Sequence, residues 1–120
     1  MLYAVLCYNS EDVVNAWSKE KDDAVMAEHL TVLRRLSGEG KLGPVARLMP
    51  TKTARTLQTS TQNIVVDGPF AETKEQLLGF YILDCSTLEE AIAAAQDLMN
   101  ETGCLEIRAV RWFHPGGDVK

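Results

Sequence analysis

The chain has 120 residues, is 46% hydrophobic and carries a formal net charge of −5. That is apolar material for one modest core, hence a single domain over 1–120. The acidic balance excludes a general nucleic-acid or anionic-membrane binder, since both need clustered Lys and Arg, and the local pair Arg34-Arg35 does not supply them.

From the N-terminus, Leu2 to Tyr8 is apolar and stops at Asn9-Ser10, which predicts a buried first strand. The same start, Met1 to Tyr8, is too short for a signal-peptide core and lacks a basic leader. A helical segment follows, strongest from Asp23 to Leu36 and stopped by Gly38 and Gly40. At about 100° per residue, Val25, Met26, Leu30, Val32, Leu33 and Leu36 fall on one arc, with His29 near its middle. Gly43-Pro44 opens an extended run, Val45 to Met49, which Pro50 closes. Ala54 to Thr59 and Asn63 to Val66 read as a hairpin around Ser60, Thr61 and Gln62.

Leu78 to Leu83 is a continuous apolar run suited to a covered strand. Thr73 to Gln76, just before it, reads as one short helical turn. Ser86-Thr87-Leu88-Glu89 has the form of a capping box, and Leu88, Ala91, Ile92, Ala95, Leu98 and Met99 supply the stripe of a second helix ending near Gly103. Leu105 to Phe113 alternates and forms the last strand, with a loose tail from Pro115. The order is strand, helix, strand, inserted hairpin, strand, helix, strand. This is an α+β arrangement of the split β-α-β type, with both helices on one face of an antiparallel sheet. The other face would be an apolar patch on a monomer, so a second copy is expected to cover it, giving a homodimer.

The densest run of unusual residues is Asp67-Gly68-Pro69-Phe70-Ala71-Glu72-Thr73-Lys74-Glu75-Gln76, followed by Gly79-Phe80-Tyr81. It puts a carboxylate at a strand end, before a flexible residue and a fixed backbone angle. An ordinary Asp turn has the same form. The run resembles the signature of the YCII-related family, in particular its DGPF-domain branch, and a weaker likeness covers the N-terminal strand, Gly40 to Pro44 and Glu106 to Val110. The chain departs from the family pattern at Leu78, where a second Gly is usual, and at Ala109, where a Pro is usual. The resemblance implies a ferredoxin-like fold paired into a dimeric α+β barrel.

It also implies a suspected active-site pair, a first-helix histidine and an aspartate, carried here to His29 and Asp67 as catalytic candidates. A carboxylate that accepts from one imidazole nitrogen fixes the tautomer and leaves the other nitrogen free to move a proton. The alternative for His29 is a core histidine whose nitrogens are met from the body of the protein. Phe70, Glu72, Tyr81 and Arg108 are the substrate-binding candidates. Phe70 and Tyr81 read as core or cavity wall rather than as reaction participants, and Tyr81 can orient a polar ligand through its hydroxyl. Glu72 follows Pro-Phe-Ala closely enough to face the same cavity, or is solvated like Lys74 and Glu75. Arg108 is either an anion anchor or the ion-pair partner of Glu106, on the same face by alternation.

No Gly-rich phosphate loop, Gly-x-Ser-x-Gly or metal-spaced His pair occurs, and His29 and His114 are the only histidines. No cofactor and no metal are expected. Cys7, Cys85 and Cys104 are odd in number and lack Cys-x-x-Cys spacing, which argues for reduced thiols and a cytoplasmic protein. Nothing approaches the roughly 20 apolar residues of a membrane span. Two functions fit. One is a small cofactor-free enzyme of proton-transfer, elimination or isomerisation type, using His29 and Asp67 on an unidentified small organic molecule. The other is a non-catalytic small-molecule-binding or regulatory module; the resemblance links DGPF-domain proteins to extracytoplasmic-function sigma factors.

Overall fold

The computed structural model describes residues 1–59, 64–71 and 73–118. In chain order its elements are β1 (Leu2–Asn9), α1 (Glu11–Asn15), α2 (Lys19–Gly38), β2 (Leu42–Arg47), β3 (Arg55–Gln58), β4 (Ile64–Asp67), β5 (Gln76–Asp84), α3 (Leu88–Gln96) and β6 (Cys104–Ala109). Four strands form one sheet in the order β2-β5-β1-β6, and β3 pairs with β4 in a separate two-stranded ribbon. Every pairing in the larger sheet is antiparallel. This is the split β-α-β topology with an inserted hairpin.

The period of two decides which side chains meet the helices. Val5 stands between Tyr81 on one neighbour and Ile107 on the other. Tyr3, Val5, Tyr81 and Leu83 are buried with Leu36 of α2, with Ala91, Ala94 and Ala95 of α3, and with Leu98 just beyond it, so both helices share that face. Alanines along the buried side of α3 let its backbone approach the sheet closely. The opposite face carries Ala4, Leu6, Ala46, Phe80 and Ile82, with Glu106 and Arg108 beside them on β6.

Helix boundaries follow caps that periodicity alone does not locate. The helical segment starts with a separate short helix, α1, whose N-cap Ser10 accepts from the Val13 amide. Ser18 caps α2 by accepting from Lys21, so the helix begins at Lys19, ahead of its strongest stretch from Asp23, and it runs through Gly38 to a turn where Gly40 takes φ +72°. For α3 the capping side chain is Thr87, accepting from Glu90 at 3.1 Å, so the cap lies one residue beyond the Ser86 expected. That helix ends at Gln96, well short of Gly103. The intervening turn is tied down instead by Asn9, which is 5% exposed and exchanges hydrogen bonds with the Thr102 carbonyl and hydroxyl at 3.2 and 3.1 Å. Gly103 has φ +84°, and a side chain there would run into Tyr8 and Asn9.

Strand ends are set by their partners. β2 begins at Leu42 rather than Val45 and takes in Gly43-Pro44 through an irregularity in its pairing with β5. Pro44 has no amide to donate, which an edge strand tolerates. β6 stops at Ala109 instead of Phe113 because β1, its one neighbour, has reached its own start: the Val110 amide bonds Leu2. The expected helical turn at Thr73 to Gln76 is absent; Thr73 to Glu75 is irregular and Gln76 already belongs to β5. Of the hairpin, β3 and β4 form as expected with Arg55 opposite Asp67, and Ser60 to Asn63 lie outside the described residues. Among the described residues, no helix is long and apolar enough to cross a membrane.

Candidate functional site

Only Leu36, near its C-terminal end, buries α2 fully. Towards the N-terminus Leu30 and Met26 are 43% and 37% exposed, although they share the apolar stripe. The helix and the sheet therefore part company there, and a cavity of about 140 Å³ lies between them. Val25, Met26, Leu30 and Leu33 form its helical wall, Cys7, Gly79 and Tyr81 its floor, and Trp17 and Met99 its ends. A volume of this order holds one aromatic ring. Gly79 contributes to that space by having no side chain, and it permits none, since a Cβ would meet the Ala46 carbonyl at 2.5 Å.

Few polar groups face this apolar space. The Tyr81 hydroxyl lies 3.4 Å from Nδ1 of His29, with the rings edge to face at 83°. Burial pushes the Tyr81 phenol up to about 12, with the Cys7 thiol adding to the rise and the Arg47 charge opposing it. The phenol thus keeps its proton, and the imidazole tautomer decides which of the two groups donates. Burial also pushes Cys7 up to about 11, so the floor thiol is neutral and behaves as a small apolar group. Asn9 and Thr102 line the cavity too, but they are engaged with each other.

Arg47 stands at the mouth. It is the last residue of β2, pairs across the sheet with Gly79, and lies two residues along from Val45, the partner of Tyr81. Arg47 and Tyr81 therefore project from the same face, above a floor that Gly79 leaves open. Its guanidinium reaches over to Asp22 of α2 at 3.1 Å, closing an exposed ion pair across the opening. On the side of α1, Glu11 accepts from the Thr51 amide at 2.9 Å and from its hydroxyl, which holds the turn after β2 against the first helix.

The structure brings together two of the residues singled out in the sequence, His29 and Tyr81. Asp67 is placed elsewhere in the chain: it ends β4, its side chain is 88% exposed, and Arg55 Nε binds it at 3.1 Å. It does not line the cavity, and the recorded polar partner of the His29 ring is Tyr81. Phe70 is 83% exposed. Arg108 pairs with Glu106 at 3.6 Å on the face away from the helices, the ion-pair alternative of its two readings. Glu72 lies outside the described residues. Arg47 and Cys7 of the cavity lining, and Asp22 beside its mouth, are among the residues that the sequence did not single out. One signal for Arg47 was available, a lone cation in a short apolar strand, Val45 to Met49.

A family model described as the YCII-related domain matches residues 1–114. An uncharacterised protein of Rhizobium meliloti (strain 1021) is 57% identical, with 97% of this chain and 97% of that one covered.

Proposed function

The chain belongs to the YCII-related domain family, and from that premise and the cavity beneath α2 we propose that it binds a small, largely apolar organic molecule. The observation that carries this is the His29–Tyr81 pair, set in a mostly apolar space large enough for one ring. The His29 ring and the Tyr81 hydroxyl offer a ligand hydrogen-bonding groups side by side. Proton transfer by a His29–Asp67 pair needs Asp67 at the imidazole, and within one chain Asp67 is held by Arg55. Binding without turnover is therefore the leading reading, and a proton-transfer enzyme is the reading that a second copy supplying Asp67 would restore.

A second copy is itself part of the proposal. Leu6, Ala46, Phe80 and Ile82 form an apolar sheet face with no helix over it among the described residues, and Leu57 and Val65 of the hairpin are 75% and 57% exposed. Across a two-fold axis, Glu106 of one copy can meet Arg108 of the other, so the face complements itself. Sedimentation equilibrium should return twice the 13.3 kDa chain mass, and a monomer at micromolar concentration would count against the dimer. Three free thiols, Cys7, Cys85 and Cys104, support a reducing cytoplasmic setting.

The cavity is tested with two neutral probes, toluene and p-cresol, titrated while amide resonances are followed. Both should move the signals of Val25, Leu33 and Tyr81, p-cresol should bind more tightly, and Met26→Trp, which fills the space, should abolish both. No saturable shift with either probe, or shifts that survive Met26→Trp, would rule the cavity out as a binding site.

A further inference from the structure

Ligand class follows from what guards the mouth. We propose that the cavity takes an apolar monocarboxylate, a ring or branched chain lodged under α2 with its carboxylate on the Arg47 guanidinium in place of Asp22. This rests on the cavity being a binding site, and it adds the charge and orientation of the occupant.

Two observations at the mouth lead to it. Arg47 is the cation among the cavity-lining residues, so a charged end is drawn to β2 rather than to the Met99 side. Its present partner, Asp22, holds it through an ion pair whose members are 53% and 36% exposed. Exposed pairs of this kind contribute little, so one carboxylate replaces another at small cost. A ligand carboxylate also accepts from the guanidinium in the two-pronged geometry that a planar fork favours.

The route inward is also open. Arg47 pairs across the sheet with Gly79, which has no side chain to obstruct a path from the guanidinium down to Tyr81. The distance between the two positions along the strand is roughly 7 Å, matched by a ring joined to a carboxylate through two methylenes. The remaining polar atoms suit the same ligand. No acidic side chain lines the cavity among the described residues, so no charge repels an anion there. Cys7 is neutral at ordinary pH and adds no negative charge of its own. A cationic ligand would find the opposite of what it needs. Asp22 faces the mouth but is already neutralised by Arg47.

Three probes separate this inference from the reading it rests on: 3-phenylpropanoate, its neutral isostere 3-phenylpropanamide, and p-cresol, each titrated calorimetrically at pH 7. The expected result is a carboxylate affinity at least about tenfold above that of the amide. Arg47→Gln should bring the two affinities together, and Asp22→Asn, which removes the competing carboxylate, should widen the gap. Equal affinities in the unaltered protein, or a preference that persists in Arg47→Gln, would overturn the inference while p-cresol binding leaves the cavity intact as a site. Failure of all three probes would overturn both.

Discussion

The Tyr81 hydroxyl and Nδ1 of His29 meet at 3.4 Å across 52 positions of chain, tying β5 to the middle of α2 where the neighbouring contacts are hydrocarbon. The phenol is held in its protonated form by burial, so the pair can share a hydrogen bond in either neutral tautomer of the imidazole. Removing the hydroxyl leaves the ring shape intact. Tyr81→Phe should therefore lower unfolding stability by about 0.5–1.5 kcal/mol, the net worth of one such bond. It should weaken p-cresol binding and leave toluene binding as it was. Urea unfolding and the same titrations check both parts; an equal loss for toluene would mean that the substitution disturbed packing instead.

Alkaline pH should weaken the fold through two groups in the cavity floor. Cys7 is raised from 9.0 to about 11, and Tyr81 from 10.0 to about 12, each mainly by burial. A group whose pKa is higher folded than unfolded keeps its full contribution below the unfolded value and loses it as pH climbs through the folded value. Stability should hold up to pH 9 and fall between there and pH 12. In Cys7→Ala the decline should begin a unit later. Urea midpoints measured at half-unit intervals decide this, and a wild-type curve that superimposes on that of Cys7→Ala would refute the thiol's part.

Thiol reactivity should be graded by burial. Cys104 is exposed and Cys85 is 2% exposed. Cys7 is part-buried, and its raised pKa leaves little of the reactive thiolate at neutral pH. With an aromatic disulfide reagent at pH 7.5, one equivalent should react quickly and two slowly, and Cys104→Ser should remove the fast phase. Three equal rates would contradict the packing of the floor.

The cap of α3 separates two adjacent hydroxyls. Thr87 accepts from the Glu90 amide, so Thr87→Ala should cost about 1 kcal/mol, whereas Ser86→Ala should cost a few tenths at most. Chemical denaturation of the two variants is sufficient. The reverse order would return the cap to Ser86.

Much of this architecture was legible because it rests on periodicity. The stripe from Val25 to Leu36 predicted α2 and put His29 on its inner side, and the alternation around Glu106 and Arg108 put those two on one face. What stayed hidden depends on contacts between distant positions. Thr87 rather than Ser86 became the cap because of its backbone angles, which a four-residue pattern does not specify. Asn9 ends a strand in the sequence, but its burial against Thr102 comes from the turn after α3 lying beside it. Asp22 and Arg47 lie on two separate elements, 25 positions apart, and only the fold sets them across one opening. Asp67 was correctly legible as the end of a strand, yet its partner, Arg55, follows from the register of β3 with β4, and the turn joining them carries no strong signal.

The uneven burial of α2 makes it a lever. It is clamped at Leu36, 1% exposed, and loosens towards Leu30 and Met26. Asp22 lies 14 residues before Leu36, which at 1.5 Å per residue is a working arm of about 21 Å. A tilt of about 5° around that clamp moves the far tip by roughly 2 Å, enough to make or break the contact with Arg47. An occupant under the middle of the helix that tilted it by this much would be read out at the Asp22–Arg47 contact, at the far end from Leu36.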